Sequence, residues 1–458
     1  MFPLDPDAEA MRRTGLAAIE HAVAHLAGQR GLRVARRYGA AELRALVDEP
    51  LPEEGAGLEA CLQRFFADLL PHCTQVNHPR FFAYVPGPGS WAGAIGELAA
   101  AVANLFVGTW LGGAAMVQLE LTAIGWLRQA LDLPAGFSGT ITSGGSLANL
   151  SALAAALAAA PARREHAVVY ASTETHYSMA KAARVLGVAE NRIRLLPVRA
   201  DQTLDPAALA EAIAADRAAG LWPAFVCANA GTTSTGAIDD LARLGEVSRA
   251  AGAWFHVDAA YGGAFALLPD GRAQFAGWQH ADSITLDPHK GLYVPFECGC
   301  LLTPRTDALH AAFAPGEADY LQDVPPDEVN FFARGPELTR GARALKLWFV
   351  LRACGLAQIR AAIARDVAHA RLAHDLLAAD PDFEIVTPPR LSVFTFRRRG
   401  SEADNRRLLE AILADGSTML SSSRVDGRYV LRFCALNPRT TGDDVRTAVA
   451  TVQRLVHA

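Results

Sequence analysis

The sequence predicts an α/β protein built on a mainly parallel sheet with helices on both faces, preceded by a helical segment and followed by a small α+β lobe. From Ser138 onward seven short apolar runs, "GTITSG", "HAVVYAS", "RIRLLPV", "PAFVCANA", "AWFHVDAA", "DSITLD" and "GCLLT", mostly alternate with helical stretches. Runs that are apolar on both faces suit strands buried from both sides, as in a parallel sheet covered by helices. The regions before and after lack this rhythm. A chain of 458 residues also exceeds one ordinary core, so two or three lobes are expected.

The elements follow in order. Residues 6–30 read as an amphipathic helix and Leu58 to Leu70 as a second, separated by the Pro/Glu/Gly-rich "DEPLPEEGAG". "HPRFFAYVPGPGSWAG" breaks the helical pattern. The Ala-rich segment after Leu147 is a helix, too short for a membrane span and ended by "PARREH". Beyond "GPELTRGARALKLWFVLRACG" a helix leads into "PDFEIVTPPRLSVFTFRR", another helix, "STMLSSSRVDGRYVLRFC" and a last helix, an α+β pattern. The expected partition is therefore 1–85, 86–345 and 346–458.

Composition narrows the function. A net charge of −5 with both signs interspersed builds no field for nucleic acid or an anionic membrane. "FRRRG" at Phe396 to Gly400 is the densest basic run and suits a solvated turn. The N-terminal "MFPLDPDAEAMRRTG" has acidic residues and no apolar core before a cleavage site, so no signal peptide is expected there, and no uninterrupted apolar run reaches about 18 residues. Seven scattered cysteines argue against a disulfide framework and for a reducing cytoplasm. Cys298 and Cys300 form a C-x-C without a second pair, so no metal is expected.

Chemistry is sought at the carboxyl ends of the strands, where open α/β sheets bind ligands. "TITSGGSLANLSAL" is a strand, a turn at Gly144 and Gly145, and a helix starting near Ser146, a place for a phosphate. It lacks the spacing of a dinucleotide fingerprint or a nucleotide P-loop, and "GPGSWAG" at Gly87 has no strand before it. "AWFHVDAAYGG" ends a buried strand in Asp258, a carboxylate that needs a cation or donors. "ANAGTTSTGAID" brings Thr232 and Thr233 to another strand end, and "YASTETHYSMAKAARVLG" brings His176. Only three of the 43 basic residues are lysine, at Lys181, Lys290 and Lys346. Lys290 follows "SITLD", beside Asp287 and His289. Arginine stays protonated, whereas a lysine amine can act as a nucleophile. An anion turn, a buried carboxylate and an amine at strand ends are what pyridoxal phosphate needs, because its ring is an electron sink that works best protonated.

These motifs resemble the pyridoxal-phosphate-dependent group II amino-acid decarboxylases, and of these the aromatic-L-amino-acid decarboxylases in particular, across nearly the whole chain. The resemblance rests, in order, on "FFAYVPGPGS", "HYSMAKAARVLG", "AGTTSTGAID", "HVDAAYGG", "DPHK" and "LKLWFVLRACG", with Asp258 and Lys290 32 residues apart. It implies the fold of aspartate aminotransferase, fold type I, as a homodimer whose N-terminal helices clasp the partner. It also implies a catalytic set of Lys290 as Schiff-base lysine, Asp258 at the pyridine nitrogen, His176 stacked on the ring, and Tyr320 donating a proton to the substrate Cα. Gly145, Ser146, Thr233, Ala260, Asp287 and His289 complete the cofactor site. Phe82, Tyr84, Gly87, Phe106 and Gly108 are the substrate contacts it suggests.

Two positions depart from the aromatic decarboxylases. Val76 stands where they carry Trp, and Gly108 where they carry Phe, so an enlarged or reshaped pocket is expected. Phe81, Phe82, Tyr84, Phe106 and Trp110 still offer an apolar wall, favouring an aromatic or bulky apolar L-amino acid. Arg432 in "YVLRFC" could pair a substrate carboxylate or serve its strand. The alternatives are an aldehyde synthase, lyase or aminotransferase on the same scaffold, or a decarboxylase of an acidic or diamino acid. Tyr320 favours release of the amine.

Overall fold

The computed structural model describes residues 4, 6–314, 325 and 328–456. Two compact units emerge, one formed by Gly87–Ala368 with Pro389–Phe394, the other by Met1–Pro86, His369–Pro388 and Thr395–Ala458.

The larger unit holds a seven-stranded sheet: β1 (Ser138–Thr142), β2 (Ala167–Ser172), β3 (Ile193–Leu196), β4 (Trp222–Asn229), β5 (Trp254–Asp258), β6 (Ser283–Leu286) and β7 (Gly299–Thr303), in the order β1-β7-β6-β5-β4-β2-β3. β7 is antiparallel to both neighbours, and the remaining pairs are parallel. Since β1 and β6 both oppose β7, the other six strands run one way, and their carboxyl ends face one edge. This is the mainly parallel sheet expected from the seven apolar runs. All eight residues of β4, six of β2 and five of β5 are buried, which explains why these runs do not alternate. The edge strand β3 is only half-buried.

Helix Gly145–Ala158 lies on this sheet. Its Ala148, Ala152 and Ala155 pack with Val169, Phe225 and Leu301 in one buried cluster. Small residues let the helix approach closely, and a fully buried side chain such as Phe225 contributes about 1.5–3 kcal/mol. The glycines beside the sheet are required by close approach. A Cβ at Gly262 would fall 1.9 Å from Ala230 O, and Gly231 adopts φ +110°.

The second unit contains helix Ala8–Gly28, capped by Asp7, a short helix Ala40–Val47 that the sequence reading did not anticipate, and helix Leu58–Arg64 extended by a π-helical turn to Leu69. Its sheet joins β8 (Phe383–Arg390), β9 (Val393–Arg398), β10 (Ser421–Val425) and β11 (Arg428–Cys434) in the order β10-β11-β9-β8. Phe82 stacks on Phe433 with centroids 4.1 Å apart, and Val76 packs with Val34, Phe81 and Met419.

Among the described residues one helix, Arg343–Ala378, is long and apolar enough by composition to cross a membrane, with a window of mean hydropathy 1.4. It breaks at Gly355, φ +71°. Its buried Lys346 pairs with Glu97 at 2.6 Å, and its buried Asp366 accepts from Tyr293 Oη at 2.7 Å. Both buried polar groups of this helix thus have protein partners.

Candidate active site

Five strand ends converge on a cavity of about 290 Å³ in the larger unit. β1 leads into Ser143 and Gly144, β2 into His176, β4 into Gly231 to Thr233, β5 ends at Asp258, and β6 leads into Asp287 to Lys290. Gly145, Ser146, His176, Thr233, Asp258, Ala260, Asp287, His289 and Lys290 all line it. Residues up to 145 positions apart in the chain thus share one wall.

The Gly144–Gly145 turn is shaped for an anion. Its helix begins at Gly144, which offers no capping side chain, leaving first-turn N–H groups and the positive end of the helix dipole to a ligand. The strand beneath the turn needs glycine sterically, because a Cβ on Gly299 would lie 2.4 Å from Gly144 Cα.

Lys290 Nζ pairs with Asp287 Oδ2 at 3.0 Å, and His289 Nε2 lies 3.5 Å from the same oxygen. Asp287 is buried, and its Oδ1 has no protein partner. Burial lowers the His289 pKa despite the nearby Asp287 charge. Its Nδ1 accepts the Cys298 N–H at 3.1 Å, so in the neutral ring Nε2 carries the proton and faces Asp287.

Asp258 is 8% exposed. It accepts from Asn149 Nδ2 at 2.9 Å and from Ala260 N at 3.1 Å, and a carboxylate has further lone pairs for a third donor. Burial lowers the His176 pKa, opposed in part by the Asp258 charge.

Amine, anion cradle and buried carboxylate therefore share one cavity, and this donor set fits pyridoxal phosphate: a primary amine for the aldehyde, free N–H groups for the phosphate, a carboxylate for the ring nitrogen. A larger cavity, about 460 Å³, is lined by Trp126, Leu127, Leu292, Leu356 and arginines but by no lysine.

The substrate contacts suggested by sequence lie elsewhere. Phe82, Tyr84, Gly87, Phe106 and Gly108 do not line this cavity. Phe82 is fully enclosed and stacked on Phe433. Gly108 does not enlarge a pocket, because a Cβ there would fall 2.2 Å from Leu338 O and 2.5 Å from Phe106 Cζ. The space is already filled by the Phe106 ring. Gly87 likewise packs under Phe296, with a Cβ 2.4 Å from its Cζ. Arg432 is buried and donates to Tyr84 O at 3.1 Å and Ser421 Oγ at 3.0 Å, which serves its own unit. Tyr320 lies outside the described residues.

Sequence reading missed Asn149, Ser178, Asn229 and Tyr261, which also line the cavity. The available signal was Asn149 itself, a polar residue one turn into an otherwise apolar helix. Cys298 and Cys300 are buried thiols whose pKa values are raised by burial, Cys298 to about 12. Among the described residues no group of three or more His, Cys, Asp or Glu could hold a metal ion.

Comparison with known proteins places this geometry among relatives. Residues 41–399 match the pyridoxal-dependent decarboxylase conserved domain. An aromatic-L-amino-acid decarboxylase from Bacillus atrophaeus is 34% identical over 99% of this chain and 96% of its own. A phenylacetaldehyde synthase from Arabidopsis thaliana is 32% identical over 90% and 88%. The crystal structure of Oryza sativa TDC with PLP and tryptamine superposes with a TM-score of 0.95 at 30% identity, covering 100% of this chain and 99% of that one.

Proposed function

The chain belongs to the pyridoxal-dependent decarboxylase family, and from that premise we propose that it converts an aromatic L-amino acid to its amine and CO2. The family and its pyridoxal phosphate cofactor are plain from the domain match and from the relative solved with PLP. The substrate class is a proposal, supported by the names of the relatives. The observation that carries it is the single cavity holding Lys290, Asp258, His176 and the Gly144–Gly145 turn.

When bound, the cofactor supplies an electron sink for the pair left behind as the α-carboxylate departs. The chain's own residues hold and direct it. Lys290 is proposed to link to the cofactor aldehyde, with Asp287 beside Nζ as a proton acceptor. Asp258 keeps the ring nitrogen protonated, helped by a buried setting where a charge pair is strong. His176 meets the ring, Gly145, Ser146 and Thr233 take the phosphate side, and Ala260 and His289 close the walls. Because Asp287 is committed to Lys290, its charge serves the amine better than the phosphate.

As the Cα–carboxylate bond breaks and CO2 leaves, one proton must be delivered to Cα, and Tyr320 is the proposed donor. Tyr84, Gly87, Phe106 and Gly108 are the proposed surroundings of the substrate side chain. A homodimer clasped through residues 1–85, in a cytoplasmic setting, completes the proposal. The free thiols, Cys61 and Cys73 exposed among them, suit a reducing compartment.

The test is to incubate holoenzyme with a panel of L-amino acids and measure CO2, amine and aldehyde together. Amine and CO2 in equal amounts from an aromatic substrate are expected. Tyr320→Phe should lose amine and, with dissolved O2 as the two-electron oxidant, gain aldehyde with release of ammonia and hydrogen peroxide. Unchanged amine turnover in that variant sinks the Tyr320 assignment, and turnover of acidic substrates alone sinks the aromatic reading.

A further inference from the structure

Beneath the cavity lies a hydrogen-bonded chain of buried side chains, Trp254, Ser283, His256, Asn149, Thr285 and Ser178, each at most 8% exposed. Its proton directions follow from one end to the other. The indole nitrogen of Trp254 can only donate, so it gives its proton to Ser283 Oγ at 2.7 Å. His256 Nδ1 lies 2.7 Å from that hydroxyl and accepts from it, because the atom facing Nε2 is the Asn149 amide oxygen, an acceptor. Burial keeps His256 neutral by lowering its pKa to about 4. A neutral imidazole that accepts at one nitrogen donates at the other, so Nε2–H points at Asn149 Oδ1, 3.0 Å away. Thr285 Oγ1 donates to the same oxygen at 2.7 Å.

With its oxygen occupied by two donors, the Asn149 amide has one orientation. Nδ2 donates to Asp258 Oδ2 at 2.9 Å and to Ser178 Oγ at 3.1 Å. Ser178 Oγ lies 2.8 Å from His176 Nδ1, and the Ser178 backbone N–H, which can only donate, is directed at the same nitrogen at 3.4 Å. His176 is therefore an acceptor at Nδ1 and carries its proton at Nε2.

We infer that Asn149 is a positioning residue for the reaction: one amide ties the Asp258 carboxylate to the His176 ring and sets which of their atoms carry protons. This rests on the roles proposed above for Asp258 and His176. Asn149 donates two hydrogen bonds from one nitrogen, so the two catalytic groups cannot be reoriented separately. The amide fixes the Asp258 carboxylate through Oδ2 and leaves its remaining lone pairs for the ring nitrogen. Through Ser178 it keeps a single His176 tautomer. An aspartate at 149 would be nearly isosteric, yet it would set a second carboxylate 2.9 Å from Asp258 and remove both donors.

The test compares wild type, Asn149→Asp and Ser178→Ala, each stripped of cofactor and titrated with pyridoxal phosphate. The readouts are the dissociation constant, the visible absorbance of the bound cofactor, and kcat and KM separately. Asn149→Asp should weaken cofactor binding about tenfold to a hundredfold, the factor expected for a lost hydrogen bond to a charged group, and alter the visible spectrum. Ser178→Ala cuts only the branch to His176, so it should lower kcat about threefold to tenfold with KM and cofactor affinity retained. Wild-type affinity and spectrum in Asn149→Asp overturn the inference. If that variant does not fold, Ser178→Ala decides, and a wild-type kcat there overturns it. Wild-type enzyme that binds no pyridoxal phosphate overturns this inference together with the proposed function, so the two failures are distinguishable.

Discussion

Gly145→Ala is a demanding test of the cofactor turn. The added methyl would sit 3.1 Å from Asp287 Oδ2, 3.2 Å from Ala260 Cβ and 3.3 Å from Thr285 Cγ2, tighter than ordinary contact on three sides. None of the three neighbours is free to yield. Asp287 is held by Lys290 Nζ at 3.0 Å, Thr285 by Asn149 at 2.7 Å, and Ala260 N by Asp258 at 3.1 Å. Overpacking of this kind costs about 1–2 kcal/mol, which for a unit of this size lowers Tm by about 2–8 °C. Because the strain falls on Asp287, the Lys290 amine moves too, and cofactor affinity should drop with stability. Gly299→Ala should be worse, since its methyl meets Gly144 Cα at 2.4 Å and backbone cannot yield cheaply. Gly125→Ala is the control. It lies in helix Trp110–Ala130 with nothing within 4 Å of a Cβ, so it should gain about 0.5–1 kcal/mol. The assays are thermal unfolding of the apoenzyme and titration with pyridoxal phosphate. A Gly145→Ala variant with wild-type Tm and wild-type cofactor affinity refutes the reasoning.

Two further predictions concern buried charge. Arg340 and Glu120 are an enclosed pair at 2.9 Å that also holds β1 through Ile141. Arg340→Met should cost about 3–5 kcal/mol by stranding Glu120, whereas the double variant Glu120→Leu with Arg340→Met should recover most of the loss; denaturant unfolding that shows equal losses refutes this. His256 has a folded pKa of about 4 against an ordinary 6.5, so between those values the unfolded chain binds the extra proton. Its neutral burial costs no proton-linked stability above pH 6.5, and stability falls as pH drops toward 4, by about 3 kcal/mol for this group. Asp239, raised to about 6 by burial, slopes the other way, so the measure is the difference between wild type and His256→Gln. Tm profiles that run parallel from pH 6.5 to 4 count against it.

Much of the site could be read without coordinates because strand ends are visible in sequence. An apolar run that stops at Asp258, or at Asp287 before Lys290, announces where chemistry can sit in a parallel sheet, and nine residues named on that basis or by resemblance line one cavity. Asn149 and His256 were not legible in the same way. Their partners lie 27 to 136 positions away, and a lone polar residue in a helix or strand carries no mark of what it faces. The enclosure of Phe82 and the filled space at Gly108 were not legible for a related reason. Residue type foretells an apolar wall or an opening, but whether the ring is already enclosed or the space already filled depends on Phe433, Phe106 and Leu338.

By itself the sequence determined the layer architecture, because burial on both faces of a strand is a local requirement, and it pointed to the family and the cofactor through motifs that resemble the group II decarboxylases. Only the tertiary structure decided the hydrogen-bond partners of Asp258 and His176, because they are set by which donors meet which acceptors across strands β5 and β6 and helix Gly145–Ala158. Those meetings are fixed by packing, and local pattern carries no record of them.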